Sequence, residues 1–420
     1  MQHRLVVLGS LGEFVELVKM AKERGYYTIV CDGYDFGPAK KVADKAYTIN
    51  IRDTDAVARM CIEEKADGII GSFSDLLFEK ITEIAAKANL RWYATPDMLP
   101  YYRMKNVAKQ AFDQLGIHSA KSCTLKADFK DEELDGYSFP VVIKPVNGYG
   151  SKGIYIVRSI QEIRDRYEDV IIRSASDDVE EIAVEEYIHG KEYNMMTWLT
   201  DGKVNVISIA DREKNPQEED RIPLCNRIVY PAEDVSGVID QASEVLRKFA
   251  AFTGQKNGAL SMQFFYWKGQ VYVCEIAGRL FGYEHELVTY GSGLSIEKLL
   301  LDYVYEEETL KADLAKHSPY YPHCCAVIYF TGKHGMTIAS QKAAEDLKAE
   351  PHVLESITFY QEGEVIDNYG PNPYFARYYI DADSREELDQ LTEQFFEKMH
   401  VEDPAGAEVT YRCVLNKEGN

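Results

Sequence analysis

The pattern of apolar residues changes about one hundred residues into the chain, and this change constrains the fold more than any other feature. The first hundred residues alternate apolar strands with amphipathic helices, which predicts a parallel, doubly wound α/β sheet. The predicted strands lie at residues 5–8, 28–31 and 68–70, and the helices at 13–24 and 55–64. Beyond residue 100, apolar strands follow one another across short turns such as Asp201-Gly202 and Lys268-Gly269, which predicts antiparallel hairpins.

These patterns predict three domains. We expect a Rossmann-like domain over residues 1–100, a central α+β domain over 101–310, and a small α+β domain over 311–420. The predicted class is therefore mixed α/β and α+β. A chain of 420 residues with 45% hydrophobic residues has the length and the apolar content for several separate cores.

Composition argues against several kinds of partner. The formal net charge of −22 would repel a nucleic-acid backbone, so nucleic acid is not an expected partner. The N-terminus has no apolar run of the length of a signal peptide or a membrane span, so we expect a cytoplasmic protein without a membrane partner. The eight cysteines include no CxxC pair, which favours buried thiols over a zinc site or a disulfide framework.

An apolar strand that ends in a lysine and precedes a glycine-rich loop predicts a phosphate-binding site. Lys144 ends the strand predicted over 141–144, and Gly148, Gly150 and Gly153 follow it. Backbone amides of such a loop can wrap phosphate oxygens while the lysine neutralises their charge. The loop is not a Walker A motif, because its glycines connect two strands and GxxxxGK[ST] is absent from the chain. A flexible hairpin with a surface lysine is the alternative.

A carboxylate at the end of another apolar strand predicts a metal site. Glu275 follows the apolar run 271–274, where a carboxylate is costly to bury unless a cation pairs with it. Magnesium bound to a triphosphate takes one or two protein carboxylates, and Arg279 could stabilise a transferred phosphoryl group. A structural ion pair between Glu275 and Arg279 is the alternative.

Two further segments could bind parts of a nucleotide. The strand and connector at 183–192 offer backbone groups to an adenine edge, and Glu192 could accept hydrogen bonds from ribose hydroxyls, although an exposed acidic connection is the alternative. The turn Gly9 to Gly12 ends the first strand and Asp32 ends the second, as in dinucleotide-binding folds. Because the turn is GxxG and not GxGxxG, a tight strand-to-helix turn is favoured over a nicotinamide site.

The order and spacing of these segments resemble the ATP-grasp superfamily of carboxylate–amine ligases, including the L-amino acid ligases and biotin carboxylase-like enzymes. The resemblance extends over residues 1 to about 310, and the C-terminal segment is similar to the closing domain of some members. It implies a lid subdomain at about 120–185. It also implies ATP and Mg²⁺ as cofactors, a small carboxylate and an amine as substrates, and a homodimer as a frequent assembly.

The resemblance also implies a role for each matching residue. Lys144 and Arg279 would be the catalytic residues, in contact with the phosphates and the acyl phosphate. Glu275 would ligate magnesium. The residues that would bind ATP are Lys105, Lys144, Gly148, Gly150, Ser151, Gly153, Glu185, Glu186, Ile188 and Glu192.

The metal side departs from the family pattern at two positions. Gln263 stands where members usually have a second carboxylate, and Ala277 stands where an asparagine is usual. Gln263 supplies a carbonyl oxygen without charge, so we expect Glu275 and Gln263 on the metal side, with one metal ion as the alternative to two.

The expected reaction is phosphorylation of a small carboxylate, an amino acid being favoured, followed by attack of an amine and release of ADP and phosphate. Two alternatives remain: an ATP-dependent carboxylase of the biotin carboxylase or purine-biosynthesis type, and a nucleotide-binding protein without ligase activity. The spacing from Arg279 to Glu284 is one residue too long for Glu284 to act as the base of a biotin carboxylase-like enzyme. For His285, a structural role is favoured over that of a proton acceptor for the amine. Weaker candidates for a carboxylate clamp, in a loop predicted over 211–231, are Arg212, Arg221 and Arg227.

Overall fold

The computed structural model describes residues 2–146, 153–173, 180–216, 223–367 and 374–416. These residues form three β-sheets, and the mixed α/β and α+β class predicted from the sequence is confirmed. Within the same ranges, no helix combines the length and apolar character needed to cross a membrane.

The N-terminal sheet is parallel, as the alternation of strands and helices predicts. Its strands, in the order β3-β2-β1-β4, are β1 (Arg4–Leu8), β2 (Tyr27–Asp32), β3 (Lys45–Thr48) and β4 (Gly68–Ile70). The helices of this part are α1 (Val15–Glu23), α2 (Pro38–Val42), α3 (Thr54–Glu63) and α4 (Asp75–Ala88). The strand order reverses between β1 and β4, and at such a point the carboxyl ends of the strands open a crevice for ligands.

A second, smaller sheet occupies the range of the predicted lid. Helices α5 (Leu99–Arg103) and α6 (Lys105–Leu115) lead into it, and α7 (Ile160–Ile172) packs against it. Its strands, in the antiparallel order β5-β8-β6-β7, are β5 (Ser122–Lys126), β6 (Val141–Pro145), β7 (Tyr155–Val157) and β8 (Glu181–Glu186). The buried residues of this sheet and α7 form a hydrophobic cluster separate from the main core.

The third sheet has eight antiparallel strands in the order β13-β12-β9-β10-β11-β14-β16-β15. These are β9 (Lys191–Thr200), β10 (Lys203–Lys214), β11 (Cys225–Tyr230), β12 (Gly258–Trp267), β13 (Gln270–Ala277), β14 (Cys324–Thr331), β15 (Val353–Thr358) and β16 (Tyr374–Ala382). The accompanying helices are α8 (Val235–Thr253), α9 (His285–Ser292), α10 (Ile296–Tyr305), α11 (Glu307–Lys316), α12 (Lys342–Lys348) and α13 (Arg385–Lys398).

The two predicted hairpin turns are both present in this sheet. Asp201 and Gly202 join β9 to β10 with φ of 52° and 83°, and Lys268 and Gly269 join β12 to β13 with φ of 49° and 76°. Positive φ at both central residues is the geometry of a type I′ turn, whose twist matches that of paired strands. The second hairpin sets β12 directly beside β13, the strand that carries Glu275.

The large sheet continues across the predicted boundary at residue 310, because β11 pairs with β14. Arg227 strengthens this junction, since its buried guanidinium lies 2.6 Å from Glu213 on β10 and 2.5 Å from Asp389 on α13. Arg227 is therefore not available as a carboxylate clamp, because its buried guanidinium is paired with carboxylates of a strand and a helix. Arg212 and Arg227 also lie on β10 and β11, not in a loop.

Candidate active site

A cavity of about 200 Å³ lies beside the strands β9 to β14 and the segment 281–284. Gln263, Glu275 and Arg279, three of the predicted site residues, line it together. The structure therefore brings the predicted metal side and the predicted catalytic arginine to one place.

Gln263 and Glu275 are direct neighbours across the β12–β13 pair, so their side chains share one face of the sheet. The Glu275 carboxylate has no hydrogen bond or ion pair with any residue that the structure describes. Burial in the cleft raises its pKa and Asp75 acts in the same direction, while Arg279 and Lys105 act against them. An unpaired carboxylate among cations is a suitable metal ligand.

Arg279 is held by Asp75 and does not pair with Glu275. Its Nε and Nη2 atoms lie 3.0 and 2.9 Å from the two carboxylate oxygens of Asp75, the first residue of α4. The structural ion pair considered as an alternative is therefore not formed. The bidentate contact orients the guanidinium at the cavity wall.

Three lysines approach one another at the lid side of the site. The Nζ atoms of Lys144 and Lys109 lie 2.5 and 2.7 Å from the two carboxylate oxygens of Glu185. Burial would raise the pKa of Glu185, but the two ammonium groups outweigh it and the pKa is lowered. Burial, and then Lys144, lower the pKa of Lys105. This concentration of positive charge suits a polyphosphate.

Gly153 is the one predicted loop glycine within the described ranges. Its φ is +67°, and an added Cβ would lie 2.9 Å from the Cβ of Arg173, so both conformation and space favour glycine there. Gly148, Gly150 and Ser151 lie outside the described residues.

The predicted adenine and ribose residues lie between the lid and the large sheet. The Glu186 amide donates to the carbonyl of Lys121, and Ile188 is buried. Glu192 is buried at the start of β9, where Arg212 (2.9 Å), Lys214 and Gln263 contact its carboxylate. Burial raises its pKa, but the two cations outweigh burial and lower it. The roles of these residues toward a nucleotide stay predictions.

The N-terminal turn matches a tight strand-to-helix connection. The Asp32 carboxylate accepts hydrogen bonds of 2.9 Å from both the amide and the hydroxyl of Ser10. An added Cβ at Gly9 would lie 2.5 Å from the ring of Phe14. The acidic group that a dinucleotide site would need for ribose is thus already hydrogen-bonded within the turn.

Glu284 reaches the cavity although its spacing from Arg279 suggested otherwise. Tyr283 has a φ of +63°, an uncommon conformation that redirects the chain just before Glu284. The buried carboxyl accepts hydrogen bonds from Tyr230 (2.5 Å) and Asn194 (2.8 Å). Burial raises its pKa to about 7. Spacing alone could not predict this placement, because the backbone conformation at Tyr283 and the packing partners Tyr230 and Asn194 are tertiary features.

The contacts of His285 are consistent with the structural role that the sequence favours, although its Nδ1 atom has no hydrogen-bond partner within the described residues. Its ring is buried, stacks on Phe73 at 4.0 Å and lies 3.1 Å from Glu297 and 3.3 Å from Glu286. Burial would lower its pKa, but the neighbouring carboxylates raise it to about 9. Of the weaker arginine candidates, Arg212 lines the cavity and Arg221 lies outside the described residues.

Residues 137–285, which contain the lid lysine, the unpaired Glu275 and Arg279, match the family model described as an ATP-grasp domain. This segment is thus an ATP-grasp domain, and it indicates an ATP-dependent ligase that forms C–N bonds. ATP and Mg²⁺ are the cofactors of that class.

Among curated proteins, a formate-dependent phosphoribosylglycinamide formyltransferase of Wolinella succinogenes is 24% identical over 278 residues, which are 66% of this chain and 70% of that protein. A protein of the same name from Erythrobacter litoralis is 28% identical, but the match spans about half of its length, 47%. Among solved structures, the L-amino acid ligase of Bacillus licheniformis has the same fold, with a TM-score of 0.77, 18% identity, and coverage of 95% of this chain and 98% of that one.

Proposed function

We propose that this enzyme activates a small carboxylate, preferably an amino acid, as an acyl phosphate and joins it to an amine with release of ADP and phosphate. The observation that carries the proposal is the unpaired Glu275 carboxylate, set opposite Gln263 and near an arginine that Asp75 orients. Such a site can hold a metal–triphosphate and stabilise the charge of a phosphoryl group in transfer.

Each residue has a distinct part in the proposed reaction. Glu275 and the carbonyl oxygen of Gln263 would hold Mg²⁺, which neutralises phosphate charge when it is bound. Lys144 and Lys105 would bind the phosphates from the lid side. Arg279 would stabilise the phosphoryl group while a substrate carboxylate oxygen bonds to phosphorus and the bond to ADP breaks. The amine then bonds to the acyl carbon, and phosphate leaves.

The names of the related proteins support a small carboxylate and an amine. The Wolinella relative is named for formate, the smallest carboxylate, and for phosphoribosylglycinamide. The Bacillus structure is named for L-amino acids. We favour amino acids because the segment Ala277-Gly278-Arg279 after Glu275 is closer to the amino-acid ligases.

ATP-dependent carboxylation, with bicarbonate as the source of the carboxyl group, is the second candidate function. Glu284 favours it, because a buried carboxyl with a pKa of about 7 can exchange a proton near neutral pH beside the cavity. A biotin carboxylase domain from Hydrogenobacter thermophilus, solved with MgADP and bicarbonate, has a TM-score of 0.71 at 16% identity and covers 96% of this chain and 91% of that one.

A substrate screen tests these candidates. ADP and phosphate release would be measured with MgATP and pairs drawn from amino acids, formate, bicarbonate and simple amines, and the products would be identified by mass. We expect ADP release with at least one carboxylate–amine pair and an amide product. Release of AMP, or a carboxylated product that needs bicarbonate, would contradict the proposed ligase reaction.

The three domains with boundaries near residues 100 and 310, the lid at about 120–185, and a homodimer are also proposals. Limited proteolysis would test the boundaries, although continuity of the large sheet through β11 and β14 predicts resistance near residue 310. Light scattering after size-exclusion chromatography would measure the mass of the assembly.

A further inference from the structure

Helix α4 holds a second arginine one turn beyond the contact between Asp75 and Arg279. Asp75 and Glu79 are four residues apart on α4, so their side chains lie on one face of the helix. The Glu79 carboxylate lies 2.8 Å from the Nε atom of Arg103, the last residue of α5, and α5 packs against α4. Two acidic residues of one helix therefore each bind one arginine.

The two arginines differ in how firmly they are held. Arg279 forms two hydrogen bonds with Asp75, through Nε and Nη2, and its side chain is 13% exposed. Arg103 forms one hydrogen bond with Glu79, through Nε, and its side chain is 36% exposed. Neither Nη atom of Arg103 has a hydrogen-bond partner among the residues that the structure describes. The N–H donors of these two atoms are thus open to a ligand.

Arg103 also lies close to the metal side of the site. Burial raises the pKa of Asp75, but Arg279 and then Arg103 outweigh burial and lower it. Burial raises the pKa of Glu275 most, and Arg103 is among the cations that act against it. The Arg103 guanidinium is therefore within electrostatic range of both the carboxylate that holds Arg279 and the predicted metal ligand.

The local backbone directs Arg103 and Lys105 to the same side. The residue between them, Met104, is extended, with φ of −112° and ψ of 104°. Side chains on either side of an extended residue project in the same direction. Lys105, the first residue of α6, is a predicted ATP-binding residue that opposes the rise in the pKa of Glu275, as Arg103 does. Arg103 thus adds a second cation to the segment that enters the site.

Glu79 can lose Arg103 without being left unpaired. Its other carboxylate oxygen lies 2.7 Å from Nζ of Lys80. Burial would raise the pKa of Glu79, but Lys80 and Arg103 outweigh burial and lower it. If Arg103 turned toward the cleft, Lys80 would still neutralise the carboxylate. A partly exposed ion pair contributes little free energy, so a triphosphate can compete for Arg103.

We propose that Arg103 is a second phosphoryl-binding arginine, which leaves Glu79 and binds the γ-phosphate of ATP together with Arg279. This inference rests on the phosphoryl transfer proposed above and adds a residue to it. A guanidinium pairs with two phosphate oxygens through a planar fork of N–H donors, which the open Nη atoms of Arg103 can supply.

Arg103 would stabilise the charge of the transferred group. A carboxylate oxygen of the substrate bonds to the γ-phosphorus, the bond from that phosphorus to the bridging oxygen breaks, and ADP leaves with the electron pair. The other oxygens of the phosphoryl group carry negative charge throughout this step, and a guanidinium beside them favours the transfer. Because ADP has no γ-phosphate, Arg103 would return to Glu79 once phosphate has left.

The test compares the binding of two nucleotides by calorimetry, a non-hydrolysable ATP analogue and ADP, each with Mg²⁺. For Arg103→Met we expect the dissociation constant of the analogue to rise about 10- to 100-fold, the range of one or two charge-assisted hydrogen bonds, with little change for ADP. Arg103→Lys keeps the charge without the fork and should lose less. Arg247→Met, at an arginine whose side chain is 56% exposed, is the matched control and should bind both nucleotides as wild type does.

Glu79→Gln separates a ligand-binding role of Arg103 from a structural one. Arg103→Met and Glu79→Gln break the same ion pair, so a purely structural pair predicts the same loss of affinity in both variants. We expect Glu79→Gln instead to bind the analogue as tightly as wild type or up to about 5-fold more tightly, because no ion pair has to break first. Equal losses in the two variants would overturn the proposal.

Failure of the ligase reaction and failure of the Arg103 contact are distinguishable. If wild type releases no ADP with any carboxylate and amine pair, but Arg103→Met loses affinity for the analogue alone, the reaction is wrong and the contact with the γ-phosphate stands. If Arg103→Met binds both nucleotides as wild type does, or loses affinity for both equally, the contact is wrong. If Arg103→Met fails to fold, Arg103→Lys decides the question by the same ratio of the two dissociation constants.

Discussion

At the residue scale, the Glu275 carboxylate has no hydrogen-bond or ion-pair partner among the described residues, unlike Glu185, Glu192 and Glu284. Replacing it by glutamine keeps the shape and removes the charge that would bind Mg²⁺. For Glu275→Gln we expect a fall in kcat/KM of about 100-fold, equivalent to roughly 2.7 kcal/mol of transition-state stabilisation. Steady-state ADP release at several Mg²⁺ concentrations measures the effect.

Glu308→Gln is the control for this change. The Glu308 side chain is 93% exposed, and its one ion pair within the described residues is a 3.7 Å contact with Lys311. It should behave as wild type. A Glu275→Gln enzyme with an unchanged Mg²⁺ dependence would rule out Glu275 as a metal ligand.

Glu284 provides a prediction about pH and stability. Its folded-state pKa of about 7 lies above the ordinary 4.5, first because of burial. Between these values the unfolded chain releases a proton that the folded chain keeps, so the carboxyl lowers stability progressively as pH rises from about 4.5 to 7. The free energy of unfolding of wild type, relative to Glu284→Gln, should fall by up to about 1.4 kcal/mol per pH unit in this window and stay level above it.

Urea unfolding at pH 5, 6, 7 and 8 measures this difference. If wild type and Glu284→Gln show parallel pH dependence, the carboxyl titrates normally and is not desolvated as the structure indicates.

At the scale of elements, α4, which follows the last strand of the N-terminal sheet, supports the end of β13. Asp75 begins α4 and binds Arg279, while Phe78, one turn later, occupies the space where a side chain at Gly278 would lie, 2.3 Å from an added Cβ. Tyr93, beyond α4, donates to the carbonyl of Gly278 at 2.8 Å. The position of Arg279 thus depends on an element more than 180 residues away in the chain.

For Asp75→Asn we expect kcat to fall about 10- to 100-fold with little change in the KM for ATP, because the bidentate contact that orients Arg279 is lost while the lid lysines are untouched. Steady-state kinetics separates the two constants. Asp55→Asn, at a 71% exposed side chain, is the matched control. A change in KM alone would mean that Asp75 acts on nucleotide binding and not on Arg279.

At the scale of the whole molecule, the lid sheet has its own hydrophobic cluster of eleven buried residues, apart from the main core. Units with separate cores can open independently. Hydrogen exchange should therefore be faster in β5, β6 and β8 than in β9 and β12. A non-hydrolysable ATP analogue with Mg²⁺ should slow exchange in the lid strands, since Lys144 on β6 would contact phosphate. If the amide hydrogens of the lid strands exchange at the same rate with and without bound nucleotide, the predicted contact between the lid and the nucleotide is wrong.

Local patterns were sufficient to predict much of the fold. Alternating strands and helices predicted the parallel first sheet, and two-residue turns predicted both hairpins of the large sheet, because these features depend on neighbours in sequence. Pairing of β11 with β14 was not predicted, since no local pattern specifies which distant strands become neighbours.

For the site, the sequence by itself predicted candidate residues at a strand end and its loop, Lys144, Gly153, Glu275 and Arg279, and the family resemblance added the uncharged Gln263. Their side-chain types and spacing are local properties. Only the tertiary structure decided that Arg279 is held by Asp75 and that Glu284 enters the cavity. Asp75 and Arg279 are 204 residues apart in the chain, and they meet only because α4 packs against the end of β13, so their contact is a property of the packed fold alone.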